Sequence, residues 1–108
     1  MAGIARFTYR VAVTVDEEIA GDFLNWLGPH REEVVATGCF VSSTMHLVHT
    51  VDGEKVESGK ATYVIDYAFI SLEDMDTYVA EHAARLRGDL PSSFSGHMSA
   101  TRQVLERQ

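Results

Sequence analysis

The chain has 108 residues, enough for one domain and too few for two. Sixteen acidic side chains stand against nine basic ones, a net charge of −7 that is spread along the chain; with no basic patch to offset it, nucleic acid is excluded as a partner. Cys39 is the only cysteine, so an intrachain disulfide or a cysteine-based metal cluster is ruled out, and no apolar run approaches the roughly 20 residues of a membrane span.

The opening Met1-Ala2-Gly3-Ile4-Ala5 lacks the apolar stretch of a signal peptide, and the expectation is cytoplasmic residence. Residues 6–15 then alternate. Phe7, Tyr9, Val11, Val13 and Val15 share one face and Thr8, Arg10, Ala12 and Thr14 the other, the pattern of a half-buried strand. Asp16 reads as a helix N-cap, with Glu17 and Glu18 favourably placed in the first turn. Ile19, Phe23, Trp26 and Leu27 follow at helical spacing. Gly28-Pro29 is expected to interrupt this helix, since proline cannot donate the next hydrogen bond and disfavours helix in the residue before it. A second helical stretch over 30–37 ends at Gly38, the usual left-handed residue after a helix.

Residues 39–50 and 60–70 read as the second and third strands, joined by the polar, glycine-punctuated segment 51–59. Ser71-Leu72-Glu73-Asp74 resembles a capping box and opens a helix whose expected apolar stripe is Leu72, Met75, Val79, Ala83 and Leu86. Gly88 to Gly96, with Pro91, breaks it. Residues 97–106 form a last strand too mixed to orient. The order β-α-β-β-α-β predicts a single ferredoxin-like α+β domain over 1–108, a four-stranded antiparallel sheet with both helices on one face and strands one and three at its centre.

Parity then fixes what faces away from the helices. Strand one offers Thr8, Arg10, Ala12 and Thr14, and strand three Thr62, Val64, Asp66 and Ala68; strand two is expected to add Phe40, Ser42, Thr44, His46 and Val48. Such a face is too apolar to stand fully wet and too polar to be buried in one chain's own core, which predicts packing against a second copy. Arg10, His46 and Asp66 are its ionisable groups. Arg10 and Asp66 read first as an ion pair inside that interface; the alternative is a small polar ligand held by all three between two sheets.

The remaining histidines give no metal site. His46 and His49 are three apart on a strand and project to opposite faces, while His30, His82 and His97 lie on separate elements, so neither a metal nor a cofactor is expected. Tyr78 and His82 are four apart on the second helix and share a face: a packing pair, or alternatively a pocket wall whose imidazole moves a proton. No phosphate loop, dinucleotide fingerprint or nucleophile elbow is present.

Several stretches together resemble a family of small uncharacterised bacterial proteins grouped as DUF4286: Val13-Thr14-Val15-Asp16, Trp26 late in the first helix, Glu33 through Phe40 with its Ala-Thr-Gly-x-Phe segment, Tyr63 through Tyr67, and Tyr78 through Arg87 with its Tyr-x-x-x-His-Ala segment. The chain departs from that pattern at Gly28-Pro29 and at Ala84, where proline is common. The resemblance implies kinship in fold with the dimeric α/β-barrel proteins, in which two ferredoxin-like sheets pack face to face, and so supports a homodimer. It implies no catalytic residues, because fold does not imply chemistry. Two functional expectations stand side by side: a non-enzymatic or regulatory homodimer that binds a small molecule between its sheets, and a small cofactor-independent enzyme of monooxygenase or isomerase type. The residue pattern does not decide between them.

Overall fold

A computed structural model describes residues 4–108; the start of the expected leader-free N-terminus, Met1 to Gly3, lies outside the described residues. The alternating segment forms β1 (Phe7–Asp16), with its odd-numbered side chains turned inward as the period of two requires. It is followed by α1 (Glu17–Ala36), β2 (Ser42–Leu47), the short strands β3 (Thr50–Val51) and β4 (Glu54–Lys55), and β5 (Lys60–Phe69). The chain continues through α2 (Leu72–Glu81), α3 (Ala83–Gly88), a single 3-10 turn at Ser92–Phe94, and β6 (Met98–Glu106).

The main sheet runs β2-β5-β1-β6 and every neighbouring pair is antiparallel. The central pair is therefore β1 and β5, the first and third long strands of the sequence reading. The helices lie on one face of the sheet. Register also orients the last strand: Val11 pairs with Arg102 and Val13 with Ala100, so the even-numbered residues of β6 point to the helix side. Among the described residues no helix is long and apolar enough to cross a membrane.

Four local expectations are corrected. First, α1 continues through Pro29 without a break. Proline costs a helix interior about 3 kcal/mol, whereas each large apolar side chain taken out of water contributes about 1.5–3 kcal/mol. Phe23 and Leu27 before Pro29 and Val34 after it are all buried on the sheet, so packing carries the helix across. Second, the strand expected over 39–50 is confined to Ser42–Leu47, and Phe40 precedes it. Phe40 accordingly escapes strand parity and enters the helix-side core, edge-on to Phe69 and Tyr78. Third, the second long helix breaks at His82 (φ −128°, ψ −36°), which re-aims the chain between α2 and α3. The buried stripe becomes Met75, Tyr78, Ala83 and Leu86, and leaves Leu72 and Val79 exposed. Fourth, neither expected N-cap side chain caps its helix. Asp16 instead accepts hydrogen bonds from Lys60 Nζ (2.7 Å), and its other oxygen lies 3.0 Å from His97 Nδ1.

The connection over 51–59 holds the β3–β4 hairpin. Asp52 and Gly53 both have positive φ, 52° and 80°, the mirror-image turn that joins two strands most tightly. The core is a continuous aromatic layer between helices and sheet, in which Tyr9 stacks on Phe40 and Tyr67 and Phe7 on Phe69.

Candidate functional site

The aromatic layer does not close completely. A cavity of about 90 Å³ opens between the helices and the inner face of the sheet. Its buried floor is formed by Tyr9 on β1, Tyr67 on β5 and Tyr78 on α2. Phe23, Trp26 and His30 on α1 make one wall. Arg87 at the end of α3 and Arg102 on β6 are the two exposed residues of the lining, so the mouth lies between them.

Each part follows from local structure. Tyr9 and Tyr67 face inward by strand parity and are register partners, so their rings stack. Trp26 and His30 are one helical turn apart on α1, and their rings stack at 4.3 Å. Arg87 turns back over the sheet and donates from Nη2 to the Tyr9 hydroxyl at 3.0 Å.

Burial shapes the chemistry of this lining. Desolvation pushes the Tyr67 phenol far above its ordinary range, with Tyr78 adding to the shift. It pushes Tyr78 upward too, against the opposing pull of Arg87 and Arg102. Both phenols are therefore protonated at neutral pH and available as donors. His30 moves the other way: desolvation lowers its pKa, outweighing the carboxylates of Glu33 and Asp89, and keeps the imidazole neutral. Apolar walls, phenolic donors, one neutral imidazole and a cationic mouth suit a small ring-containing molecule.

The sequence-derived candidates sit elsewhere or at the margin. Arg10 and Asp66 are register partners on the open face, and Arg10 grips both carboxylate oxygens, Nε to Oδ1 at 2.9 Å and Nη2 to Oδ2 at 3.0 Å. The β2 residue in line with them is Thr44; His46 lies one pair further along, opposite Val64, and no hydrogen bond joins it to Arg10 or Asp66. Tyr78 is in the cavity floor, while His82 stacks beside it at 6.4 Å, at the break between α2 and α3. Sequence reasoning missed Tyr9, Trp26, His30, Arg87 and Arg102. The Trp26–His30 spacing was a usable signal, and reading a helix break at Gly28-Pro29 removed it.

The sequence reading also did not foresee a cluster at the β1–α1 junction. Asp16, Glu18 and His97 bring one ligand-type atom each within 4.8 Å of one another. His97 Nδ1 is 3.0 Å from Asp16 and 3.2 Å from Glu18, and the Lys60 ammonium occupies the other Asp16 oxygen. The arrangement is a polar network, with the Lys60–Asp16 ion pair at its centre, that ties the start of α1 to β5 and to the residue before β6.

Several solved structures share the architecture. SnoaB, a cofactor-independent oxygenase from Streptomyces nogalater solved as a mutant, is 14% identical with a TM-score of 0.59 over 96% of this chain and 95% of its own. A hydroxynitrile lyase from Passiflora edulis is 6% identical, with a TM-score of 0.61 over 97% and 98%. The heme-degrader MhuD from Mycobacterium tuberculosis, solved with two hemes bound in its active site, is 16% identical with a TM-score of 0.51 over 92% and 93%. At such identities the likeness concerns the fold alone, which is ferredoxin-like. Among curated proteins none matches. The family model described as Domain of unknown function (DUF4286) matches residues 6–108, and the chain belongs to that family.

Proposed function

We propose that this protein is a small-molecule-binding homodimer in which each chain takes its ligand into the cavity between helices and sheet, while the open sheet faces pack against each other. The observation that carries the binding site is the cavity itself, a gap in an otherwise continuous aromatic core, floored by Tyr9, Tyr67 and Tyr78. A void of this kind forfeits packing contacts and costs stability. Arg10 and Asp66, held to each other on the opposite face, then serve the sheet-to-sheet contact, with His46 at its margin.

The test uses benzyl alcohol, a neutral single-ring probe. Titration followed by amide and indole chemical shifts is expected to perturb Trp26 and the strand segments around Tyr9 and Tyr67. Ala100→Phe, which fills the cavity from β6, should abolish the effect. Shifts confined to the outer sheet face, or none at all, would sink the cavity as the ligand site.

A small enzyme working without a cofactor is the second reading, and one observation favours it. His30 is neutral, lines the cavity and is braced by Trp26, which suits a general base that takes a proton from a bound ring hydroxyl. SnoaB, on a similar fold, is a cofactor-independent oxygenase. Turnover of a hydroxylated aromatic by the wild type that disappears in His30→Gln would support this role. Undiminished turnover in that variant would remove it.

A further inference from the structure

We propose that the ligand of this cavity is an aromatic carboxylate of single-ring size, its ring between the Trp26 wall and the tyrosine floor and its charge gripped by Arg87 and Arg102. The inference rests on the cavity being a ligand site and adds the class of molecule it selects.

Charge pairing and position together single out these two arginines. Arg6, Arg10, Arg85 and Lys60 each meet a carboxylate within 4.0 Å. Among the described residues Arg31, Lys55, Arg87, Arg102 and Arg107 meet none, and of these only Arg87 and Arg102 line the cavity. Arg87 is held by a neutral group, the Tyr9 hydroxyl at 3.0 Å, which leaves its charge uncompensated.

Their placement is convergent. Arg87 comes from α3 and reaches Tyr9, while Arg102 comes from β6 and is the register partner of Val11, the next residue of β1 on the same face. The charges of both reach the Tyr78 hydroxyl in the floor, where they act against the upward shift that burial imposes. Two guanidinium groups lining one cavity repel each other, and an anion between them reverses the sign of that interaction. Guanidinium forks match a carboxylate in two-point geometry, which makes this anion the best fit.

Size limits the rest of the molecule. A cavity of roughly 150 Å³ accepts benzene, and this one measures about 90 Å³. One ring enters part way and keeps its charged end at the mouth, where the arginines are. A fused bicyclic system would have to displace Phe23 or Leu27 from the buried core.

The experiment is calorimetric titration of the intact protein with benzoate, benzyl alcohol and benzylammonium, which share the ring and differ in charge. Benzoate is expected to bind at least about tenfold more tightly than benzyl alcohol, a margin of about 1.4 kcal/mol, with benzylammonium weakest. Arg102→Gln should bring benzoate down to the level of benzyl alcohol and leave the alcohol unchanged. Arg87→Gln should do the same, and Arg102→Gln stands by itself if loss of the Tyr9 contact unfolds the chain. Ala100→Phe should block benzoate. Benzyl alcohol binding as tightly as benzoate would overturn the anion assignment and leave the cavity site standing. Benzoate binding undiminished in Ala100→Phe would place the anion on surface arginines and also overturn it. If no probe perturbs Trp26, the cavity site and this inference fall together.

Discussion

His30 illustrates how one side chain acquires a function from its surroundings. A histidine on a solvated helix face titrates near pH 6.5; here it is wedged against the indole of Trp26, and desolvation moves its pKa downward despite Glu33 and Asp89. The folded state therefore binds fewer protons than the unfolded state in the window just below pH 6.5. Stability must rise with pH across that window, so acidification weakens the fold from about pH 6.5 down to the lowered folded value, beyond which this contribution levels off. His30→Phe retains an aromatic stack and removes the titration. Urea unfolding between about pH 7.5 and 5 should show the wild type losing stability relative to His30→Phe, with the difference opening below about 6.5. A constant difference across the range would mean that His30 titrates as a solvated histidine. Trp26, the sole tryptophan, gives the same experiment an independent optical signal.

At the level of elements, strand period and turn chemistry were legible where neighbouring residues decide the outcome. The alternation of Phe7 to Val15, the left-handed Gly38 after α1, and the polar, glycine-punctuated connection over 51–59 all express backbone preferences that act over a few residues. What escaped depended on partners distant in the chain. Proline at position 29 is a strong local helix-breaking signal, overruled by the burial of Phe23, Leu27 and Val34 on strands that the sequence does not show as adjacent. The helix break at His82 has no glycine or proline to announce it, and it decides that Tyr78, and not Val79, enters the core. Because the cavity is assembled from α1, α3 and β6 against the sheet, misreading α1 hid its Trp26–His30 wall. The same conflict yields a prediction. Pro29 is exposed and has an uninterrupted helix around it, so Pro29→Ala restores a hydrogen bond to the Asn25 carbonyl and relieves the ring contact there. Against about 3 kcal/mol for an interior proline stands roughly 0.4–1 kcal/mol of unfolded-chain entropy, so a net gain of about 2 kcal/mol is expected. Chemical unfolding should show it as a higher midpoint with unchanged slope; a lower midpoint would mean that α1 depends on the proline's fixed backbone angle.

On the scale of the whole molecule, the chain is a slab of 45 × 33 × 18 Å, two layers thick, with one broad side uncovered. Its radius of gyration of 14.6 Å exceeds the roughly 13 Å of a compact chain of this length. The uncovered side is the outer face of the sheet. On the central strands it presents Ala12, Val64 and Ala68 with Thr8, Thr14 and Thr62, and the Thr14 and Thr62 hydroxyls bond to each other at 2.8 Å. Arg10 and Asp66 likewise satisfy one another. A face whose Arg10–Asp66 and Thr14–Thr62 groups are already paired, and which carries few long charged side chains, loses little at those groups when water leaves it. A second copy related by a two-fold axis would supply a matching face, which makes it the expected partner. The expected mass in dilute solution is therefore twice the 12.0 kDa chain. Val64→Lys places an unpaired ammonium at the centre of that contact and should yield a folded monomer, with the helical circular dichroism signal retained. Arg10→Ala leaves the Asp66 carboxylate without its partner and should weaken association as well, whereas Lys55→Ala, out on the β3–β4 hairpin, should not. Light scattering over a wide concentration range is the measurement. A wild-type mass that stays at one chain throughout would mean that the slab is the complete molecule and that its outer face meets water.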